Sequence, residues 1–385
     1  MLKSVEPSGD GTSSDWRSGP FLIVTRHDYR TDRRVHLHYY ADELRAHGKV
    51  HFFSAGFSQL SRLNMDTRVP LWDRSNRVEN VDGVDCFLWR TPTHPFNPRL
   101  GVLDPLAETL FAYYGRHAPQ QLVDWAKKCR FIIIESGLPI VLFRAVKRAN
   151  PTARIAYYAS DDLTAIGCAP ALKNELARTI EGYDAVFALS RTLAARFSAK
   201  APAYYLPYGV EPNDFDASTP SPYEGGVNAV TVGSTLFDAT FFKIAAAEFP
   251  DITFHLIGCG QKAVGLKQHN VRVYGEMPFR AVMNYFRHAD FGIAPYDVRK
   301  LDPHFAESSQ KLTYMGILGL PAVCPDGAVG TYSGRYGYVA GDRASIADAV
   351  RAALAAGHFP EQPALSWAAV TDRLLAPEAY RDTRV

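Results

Sequence analysis

Two short stretches carry the residue types and spacings most suited to chemistry. The first runs from Ala306 to Pro325, AESSQKLTYMGILGLPAVCP. Ser308 and Ser309 open a helix pattern with Lys311 on its first turn, and Gly319 then leads into a small apolar strand. First-turn amides lack intrahelical partners, so hydroxyls and an ammonium beside them form an anion site suited to a nucleotide diphosphate. An ordinary capped helix also places serines there. The second stretch is Tyr158-Ala159-Ser160-Asp161-Asp162-Leu163, at the end of a strand pattern. A carboxylate there can accept the proton of an attacking hydroxyl, or one of the two aspartates can simply cap a helix.

Further polar groups fall at other strand ends. Val232-Gly233-Ser234-Thr235-Leu236-Phe237-Asp238 closes a strand and opens a helix, so Gly233 permits close approach and Asp238 lies at the helix start. Tyr274-Gly275-Glu276-Met277 and Ala294-Pro295-Tyr296 end two more strands, and Glu276 suits a ribose diol. In the first half, Arg26, His27, Asp28, Arg30, Arg33 and Arg34 form a polar loop after the first strand, either facing a ligand or merely solvated. Asp214-Phe215-Asp216 matches the DxD of metal-dependent transferases, but it lies outside any strand end and reads as incidental.

The elements that must position these groups alternate along the chain. Phe21–Val24, Val50–Phe53, Phe131–Ile134, Arg154–Tyr158 and Ala185–Leu189 are apolar strand runs separated by helix patterns. A second series follows, with strands at Ala229–Val232, Ile252–Ile257, Val271–Tyr274, Phe291–Ala294 and Ala322–Val323. Continuous apolar strands between helices predict parallel sheets covered on both faces, and parallel sheets gather ligands at their carboxyl ends. The expected organisation is a tail over 1–19, a first α/β domain over 20–208 and a Pro/Gly-rich linker over 209–226. A second α/β domain spans 227–364, residues 365–385 pack back on the first domain, and the ligand sits in the cleft between the two. No GxGxxG follows Val24, which disfavours nicotinamide binding.

Composition narrows the function classes. The chain has 385 residues, 47% hydrophobic and 21% charged, which fits two globular domains. A net charge of +2 argues against a nucleic-acid partner. Five scattered cysteines without CxxC spacing indicate neither zinc nor a disulfide framework, and no other cluster has metal-ligand spacing. The apolar run Phe131–Phe143 is too short to span a bilayer, so a cytosolic location or the cytosolic side of a membrane is expected. Residues 20–150 carry 19 Lys and Arg against 13 Asp and Glu. Together with Leu103, Leu106, Leu110, Phe111, Tyr113 and Tyr114 on one helix, that excess suits a membrane surface, although core packing explains such a helix as well.

From Phe21 onward the chain resembles the GumK family of xanthan-type glucuronosyltransferases. The likeness is carried by His27-Asp28 with Arg30 and Arg33-Arg34, Gly83-Val84-Asp85-Cys86, Leu88-Trp89-Arg90-Thr91 and His94-Pro95-Phe96-Asn97. Glu135-Ser136-Gly137, Ala159-Ser160-Asp161, Leu236-Phe237-Asp238, Tyr274-Gly275-Glu276-Met277 and Gly319 to Pro325 continue it. The resemblance implies a GT-B fold of two Rossmann-like domains. It implies inverting transfer of glucuronic acid from UDP-glucuronate to the mannose of a polyprenyl-diphosphate-linked oligosaccharide, in a β-1,2 bond, without metal or other cofactor. A peripheral, monotopic position on the cytoplasmic face of the inner membrane goes with it.

The same resemblance makes Asp161 the general base and puts Thr235, Glu276, Tyr296, Ser308, Ser309, Gln310 and Lys311 around the donor. Asp238, Tyr314 and Glu211 are further donor candidates; His27, Asp28, Arg30 and Trp89 fall to the acceptor. The chain departs from the family at Thr235, where a methionine is usual, at Glu307-Ser308-Ser309-Gln310-Lys311 for Asp-Ser-Ser-Met-Lys, and at Tyr314 for a glutamine. Retaining relatives often carry Glu-x7-Glu; here the position eight after Glu307 is Met315, which favours inversion. A transferase of another UDP-sugar and a non-catalytic UDP-sugar-binding protein are the alternatives.

Overall fold

The structure, a computed structural model, describes residues 16–64, 66–211 and 218–385. By its internal contacts the chain divides into two compact units, Met1–Phe187 with Lys200–Pro202, and Ala188–Ala199 with Ala203–Val385.

In the first unit lie β1 (Phe21–Thr25), β2 (Val50–Phe57), β3 (Val78–Val81), β4 (Val84–Arg90), β5 (Phe131–Glu135), β6 (Arg154–Ala159) and β7 (Ala185–Ala188). They line up in the order β3-β4-β2-β1-β5-β6-β7. β1 pairs in parallel with β2 on one side and β5 on the other, with Phe21 opposite both Val50 and Phe131. Every residue of β1, β2 and β5 is buried, as strands covered by helices on both faces require. β3 and β4 are antiparallel. Their turn is Asp82-Gly83, both at positive φ, the backbone that a two-residue hairpin needs. Because β1 is followed by β2 on one side and flanked by β5 on the other, the chain reverses its winding beside β1. Such a switch point leaves an open crevice at the carboxyl ends of the strands.

The second unit repeats the plan. β10 (Val227–Val232), β11 (Ile252–Ile257), β12 (Val271–Tyr274), β13 (Phe291–Ile293), β14 (Ala322–Pro325) and β15 (Arg335–Tyr338) form a sheet in the order β12-β11-β10-β13-β14-β15. All of its pairs are parallel, and its winding reverses between β10 and β13. Successive residues serve opposite layers: Ala229, Phe254, Leu256 and Val323 pack in one core, Val230, Ile257, Ala322 and Cys324 in the other.

Two short strands, β9 (Gly209–Val210) and β16 (Leu365–Ser366), form a small sheet of their own in this unit, while β8 (Ala203–Tyr205) takes the edge of the other sheet beside β7. By internal contacts the closing residues 365–385 fall in the second unit. β16 pairs in parallel with β9, Arg384 bridges Tyr204, and a Cβ at Gly209 would lie 2.5 Å from the Trp367 ring. That last distance shows how closely the helix Trp367–Leu375 sits on the chain at 209. Of the expected linker, Tyr223 belongs to the second unit's packing, since its hydroxyl donates to the Tyr285 carbonyl at 2.7 Å. Asp214-Phe215-Asp216 and most of the 1–19 tail lie outside the described residues.

Helix Asp104–Arg116 is amphipathic in a way the sequence only half suggests. Phe111 and Tyr114 are buried, 3% and 4% exposed, whereas Leu106, Leu110 and Tyr113 face outward at 57%, 47% and 61%. The spacing of three and four residues separates the two faces. No helix among the described residues is long and apolar enough to cross a membrane.

Candidate functional site

At the first unit's switch point, the carboxyl ends of β1, β5 and β6 enclose a cavity of about 610 Å³. Arg26, His27, Arg68, His94, Glu135 and Asp161 are among its walls. Two adjacent aspartates follow β6, and the structure separates their roles. The Asp162 carboxylate accepts from the amides of Thr164 at 2.8 Å and Ala165 at 3.0 Å, closing a local turn. The Asp161 carboxylate has no hydrogen-bond or ion-pair partner among the described residues and faces the cavity. Burial raises its pKa to about 7, and the carboxylates of Glu135 and Asp162 add to the shift. An acid poised near neutral pH at a strand end is a competent proton acceptor.

Glu135 sits beneath it, 5% exposed. It accepts from Thr25 Oγ1, from the Arg26 amide at 3.3 Å and from Ser160 Oγ at 3.4 Å. His27 Nε2 stands 3.6 Å from Oε1, the oxygen that also accepts from Ser160. Ser160 Oγ also lies 2.8 Å from Ser136 Oγ, so the loop bearing Asp161 is tied to β5. Neither Glu135 as a neighbouring charge nor Arg68 was singled out from the sequence. The Glu135-Ser136-Gly137 motif at the end of a buried strand was the available signal.

The other residues assigned to the acceptor part company. Asp28 is wholly buried, accepts bidentately from Arg30 at 2.8 and 2.9 Å, and accepts from Ser54 Oγ at 2.9 Å. Arg30 also donates to Glu79 at 2.7 Å and has a side chain 1% exposed. This pair is a buried ionic brace: its donors and acceptors already hold one another, so neither guanidinium nor carboxylate is open to a ligand. Trp89 is 8% exposed and packs on Tyr114 with ring centroids 4.3 Å apart, which puts it in the core behind the cavity. Of the four, His27 and Asp28 line the cavity, and of these His27 has the accessible side chain.

In the second unit, Lys311 is the centre. The segment from 305 to 317 is two helices rather than one: Phe305–Ser308 and Gln310–Ile317, with Ser309 as the cap of the latter. Ser309 Oγ accepts from the Leu312 amide at 3.2 Å and meets the Tyr296 hydroxyl at 2.5 Å. Lys311 Nζ lies 3.4 Å from Thr231 Oγ1 and 5.3 Å from the centre of the Tyr296 ring, so the helix start is joined to the ends of β10 and β13. No carboxylate pairs with Lys311 among the described residues. Burial lowers its pKa to about 8, partly offset by Cys259. An enclosed ammonium without a counter-ion favours an incoming anion.

Around this centre, Gly233 has φ +81° with open space where a Cβ would stand, and Thr235 and Gln310 are exposed. Glu276 is exposed beside Gly258, whose Cβ would lie 3.5 Å from Glu276 Cγ. Tyr296 is 4% exposed and burial raises its hydroxyl to about 12, so it stays neutral. Ser308 offers its carbonyl to the Tyr208 hydroxyl at 3.1 Å. Tyr314 is buried against Phe279 and accepts from Gln310 Nε2 at 2.6 Å. Asp238 caps the helix Ala239–Glu248 through the Thr240 amide at 2.9 Å, the plainer of its two readings. Glu211 is the last described residue before 218. Glu307 accepts from the Arg191 amide and from Thr192 Oγ1 at 2.8 Å, and so caps the start of the helix Arg191–Ala195. Among the described residues, no group of three or more His, Cys, Asp and Glu could hold a metal ion.

Residues 23–189 match the family model described as Glucuronosyltransferase GumK, N-terminal domain. A protein of Xanthomonas campestris pv. campestris named UDP-glucuronate:glycolipid 2-beta-glucuronosyltransferase is 40% identical over 382 residues, covering 99% of this chain and 95% of that protein. Among solved structures, Anabaena HepE in complex with UDP and glucose is similar, with a TM-score of 0.60 and 14% identity over 93% of this chain and 99% of that one. A Burkholderia xenovorans UDP-forming trehalose-phosphate synthase has a TM-score of 0.58 and 12% identity over 94% and 97%. At such low identities these likenesses establish the fold, which is GT-B. With 40% identity along nearly its whole length, the chain belongs to the GumK glucuronosyltransferase family.

Proposed function

We infer that this protein is an inverting glucuronosyltransferase that moves glucuronic acid from UDP-glucuronate to a glycolipid acceptor. The observation that carries the chemistry is the unpartnered Asp161 carboxylate, with its pKa raised to about 7, in an open cavity at a strand end. Asp161 takes the proton of the acceptor hydroxyl as its oxygen attacks the anomeric carbon. The new carbon–oxygen bond forms opposite the bond to UDP, which breaks with its electron pair leaving on the diphosphate, so an α-linked donor gives a β-linked product. Lys311 and the first-turn amides of its helix take up the charge on the departing UDP. In this role they stand where other transferases use a divalent cation, and turnover is expected to survive chelators.

The acceptor assigned by this reading is a polyprenyl-diphosphate-linked oligosaccharide ending in mannose, with a β-1,2 linkage formed in exopolysaccharide assembly. A peripheral position on the cytoplasmic membrane face follows. Its support is the outward row of Leu106, Leu110 and Tyr113, near a groove where Arg116, Lys147 and Arg148 accompany Arg178 and Arg144, the latter two paired with Glu108 and Glu175. Co-flotation with vesicles containing anionic lipid, lost in Leu106→Asp with Leu110→Asp, supports this placement; flotation unaffected by the two changes removes it.

The function itself is tested by a donor panel, UDP-glucuronate, UDP-glucose and UDP-galacturonate, with the lipid-linked acceptor and the product linkage assigned by NMR. A β-glucuronosyl product is expected from the first donor. An α product, or preference for a neutral sugar, would overturn the assignment.

A further inference from the structure

Three arginines line the first unit's cavity, in different conditions. Arg68 is 3% exposed and fully engaged: it donates bidentately to Asp66 at 2.9 and 2.7 Å, and to the carbonyls of Ala55 at 2.7 Å and Gly56 at 2.8 Å. Arg33 sits on the exposed loop after β1. Arg26 follows β1 directly and is accessible from the cavity, yet no hydrogen bond or ion pair of its guanidinium occurs among the described residues. Its stem runs in a slot made by two glycines at positive φ. A Cβ at Gly56 would lie 3.5 Å from Arg26 Nε, and one at Gly137 4.0 Å from Arg26 Cδ.

The surroundings hold this cation without neutralising it. Burial and the neighbouring Arg68 lower its pKa, while Asp66 and Glu135 oppose the shift from a distance. His94 shares the wall, its Nδ1 2.8 Å from Ser58 Oγ, and is neutral at pH 7 because burial and the two arginines push it down to about 4. A guanidinium presents five N–H donors in a planar fork matched to carboxylate or phosphate oxygens. Here that fork is accessible and without an acceptor, on a stem placed by two glycines, in the same cavity as Asp161.

We propose that Arg26 is the centre of an oxyanion subsite in the first unit's cavity, binding a carboxylate or phosphate group of a substrate. The proposal rests on the transfer reaction assigned above. Two substrates of that reaction carry such a group: the donor through its sugar carboxylate and the acceptor through its lipid diphosphate.

Arg26→Gln and Arg26→Lys in the full chain separate these sources. In one arm, kcat/KM is measured for UDP-glucuronate and UDP-glucose with a common acceptor. If the sugar carboxylate is the anion, Arg26→Gln lowers the ratio between the two donors ten-fold or more. In the other arm, the oligosaccharide is offered on its lipid diphosphate and on a neutral alkyl aglycone. If the diphosphate is the anion, Arg26→Gln raises KM for the former ten-fold or more and removes its advantage. Arg26→Lys keeps the charge and recovers part of either loss; it is the variant to read if Arg26→Gln melts well below wild type. Ratios and KM values within two-fold of wild type in both arms overturn the subsite. A third measurement needs no turnover: glucuronate and inorganic pyrophosphate are titrated into wild type and Arg26→Gln with UDP saturating. If wild type fails to transfer glucuronate but binds one of these anions in an Arg26-dependent way, the reaction is misassigned and the subsite stands. Absence of any Arg26-dependent binding sinks the subsite.

Discussion

In the first unit the ends of β1, β5 and β6 converge on Asp161, an acid with no cation against it; in the second, the ends of β10 and β13 converge on Lys311, a cation with no acid against it. The two sheets have the same kind of winding reversal, so topology alone does not explain why one holds a proton acceptor and the other an anion site. The difference lies in the next layer. Glu135 and Asp162 stand near Asp161 and raise its pKa, whereas Thr231, Tyr296 and Ser309 surround Lys311 with neutral groups. Each site leaves its charged group unmatched, and a substrate completes it.

The largest effect that would break this comparison is on turnover. Asp161→Asn should lower kcat by roughly 10²–10⁴, the range for removing a general base. It should also raise stability at alkaline pH. The native state favours the protonated acid up to about pH 7, while the unfolded chain ionises near its ordinary value. Wild type therefore loses stability relative to the variant as pH rises from about 4 to 7, which thermal melts across that range will show. A gap that stays flat with pH would mean Asp161 is not held in a poorly solvated position.

Next in size is the contrast between Asp161 and Asp28, two carboxylates of one unit with opposite tasks. Asp28→Asn leaves the Arg30 guanidinium buried beside Glu79 with its principal partner gone, and should cost about 3–5 kcal/mol of stability. Chemical denaturation measures it. A loss of activity with unchanged stability would instead make Asp28 part of the binding surface.

Lys311→Ala should weaken UDP binding by about 1.5–3 kcal/mol, the scale of a charged hydrogen bond. UDP affinity should also decline above pH 8 in wild type, because the free ammonium loses its proton near there and UDP prefers the charged form. Calorimetric titration at pH 7 and pH 9 checks both. The smallest effect concerns Glu135. Glu135→Gln removes a carboxylate that raises the Asp161 pKa, so the rising limb of kcat/KM, expected near pH 7 in wild type, should move to lower pH. A limb that does not move would detach Glu135 from the base.

Much of this was legible in the residues, for identifiable reasons. Short apolar runs rich in β-branched and aromatic residues, such as Phe21–Val24 and Phe131–Ile134, fit strands buried on both faces, so the parallel sheets could be read from them. Lys311 was legible because a serine cap fixes where a helix begins. What the pattern could not show was how neighbouring charges divide their tasks. Asp161 and Asp162 are identical as letters, and only the backbone amides at Thr164 and Ala165 decide which one caps the turn. Asp28 and Arg30 looked like ligand contacts because they follow a strand; their spacing of two equally allows the bidentate pair that forms. Trp89 packs on Tyr114, a placement the sequence could not show, since an aromatic strand residue gives no sign of which face it takes. Arg68 stands far from β1 in sequence and is held at the cavity by Asp66 and the carbonyls of Ala55 and Gly56.

The most direct test of the division of labour is UDP titration of wild type, Asp161→Asn and Lys311→Ala side by side. The expected outcome is an affinity within two-fold of wild type for Asp161→Asn and a clear loss for Lys311→Ala. Comparable losses in both, or none in Lys311→Ala, would contradict it.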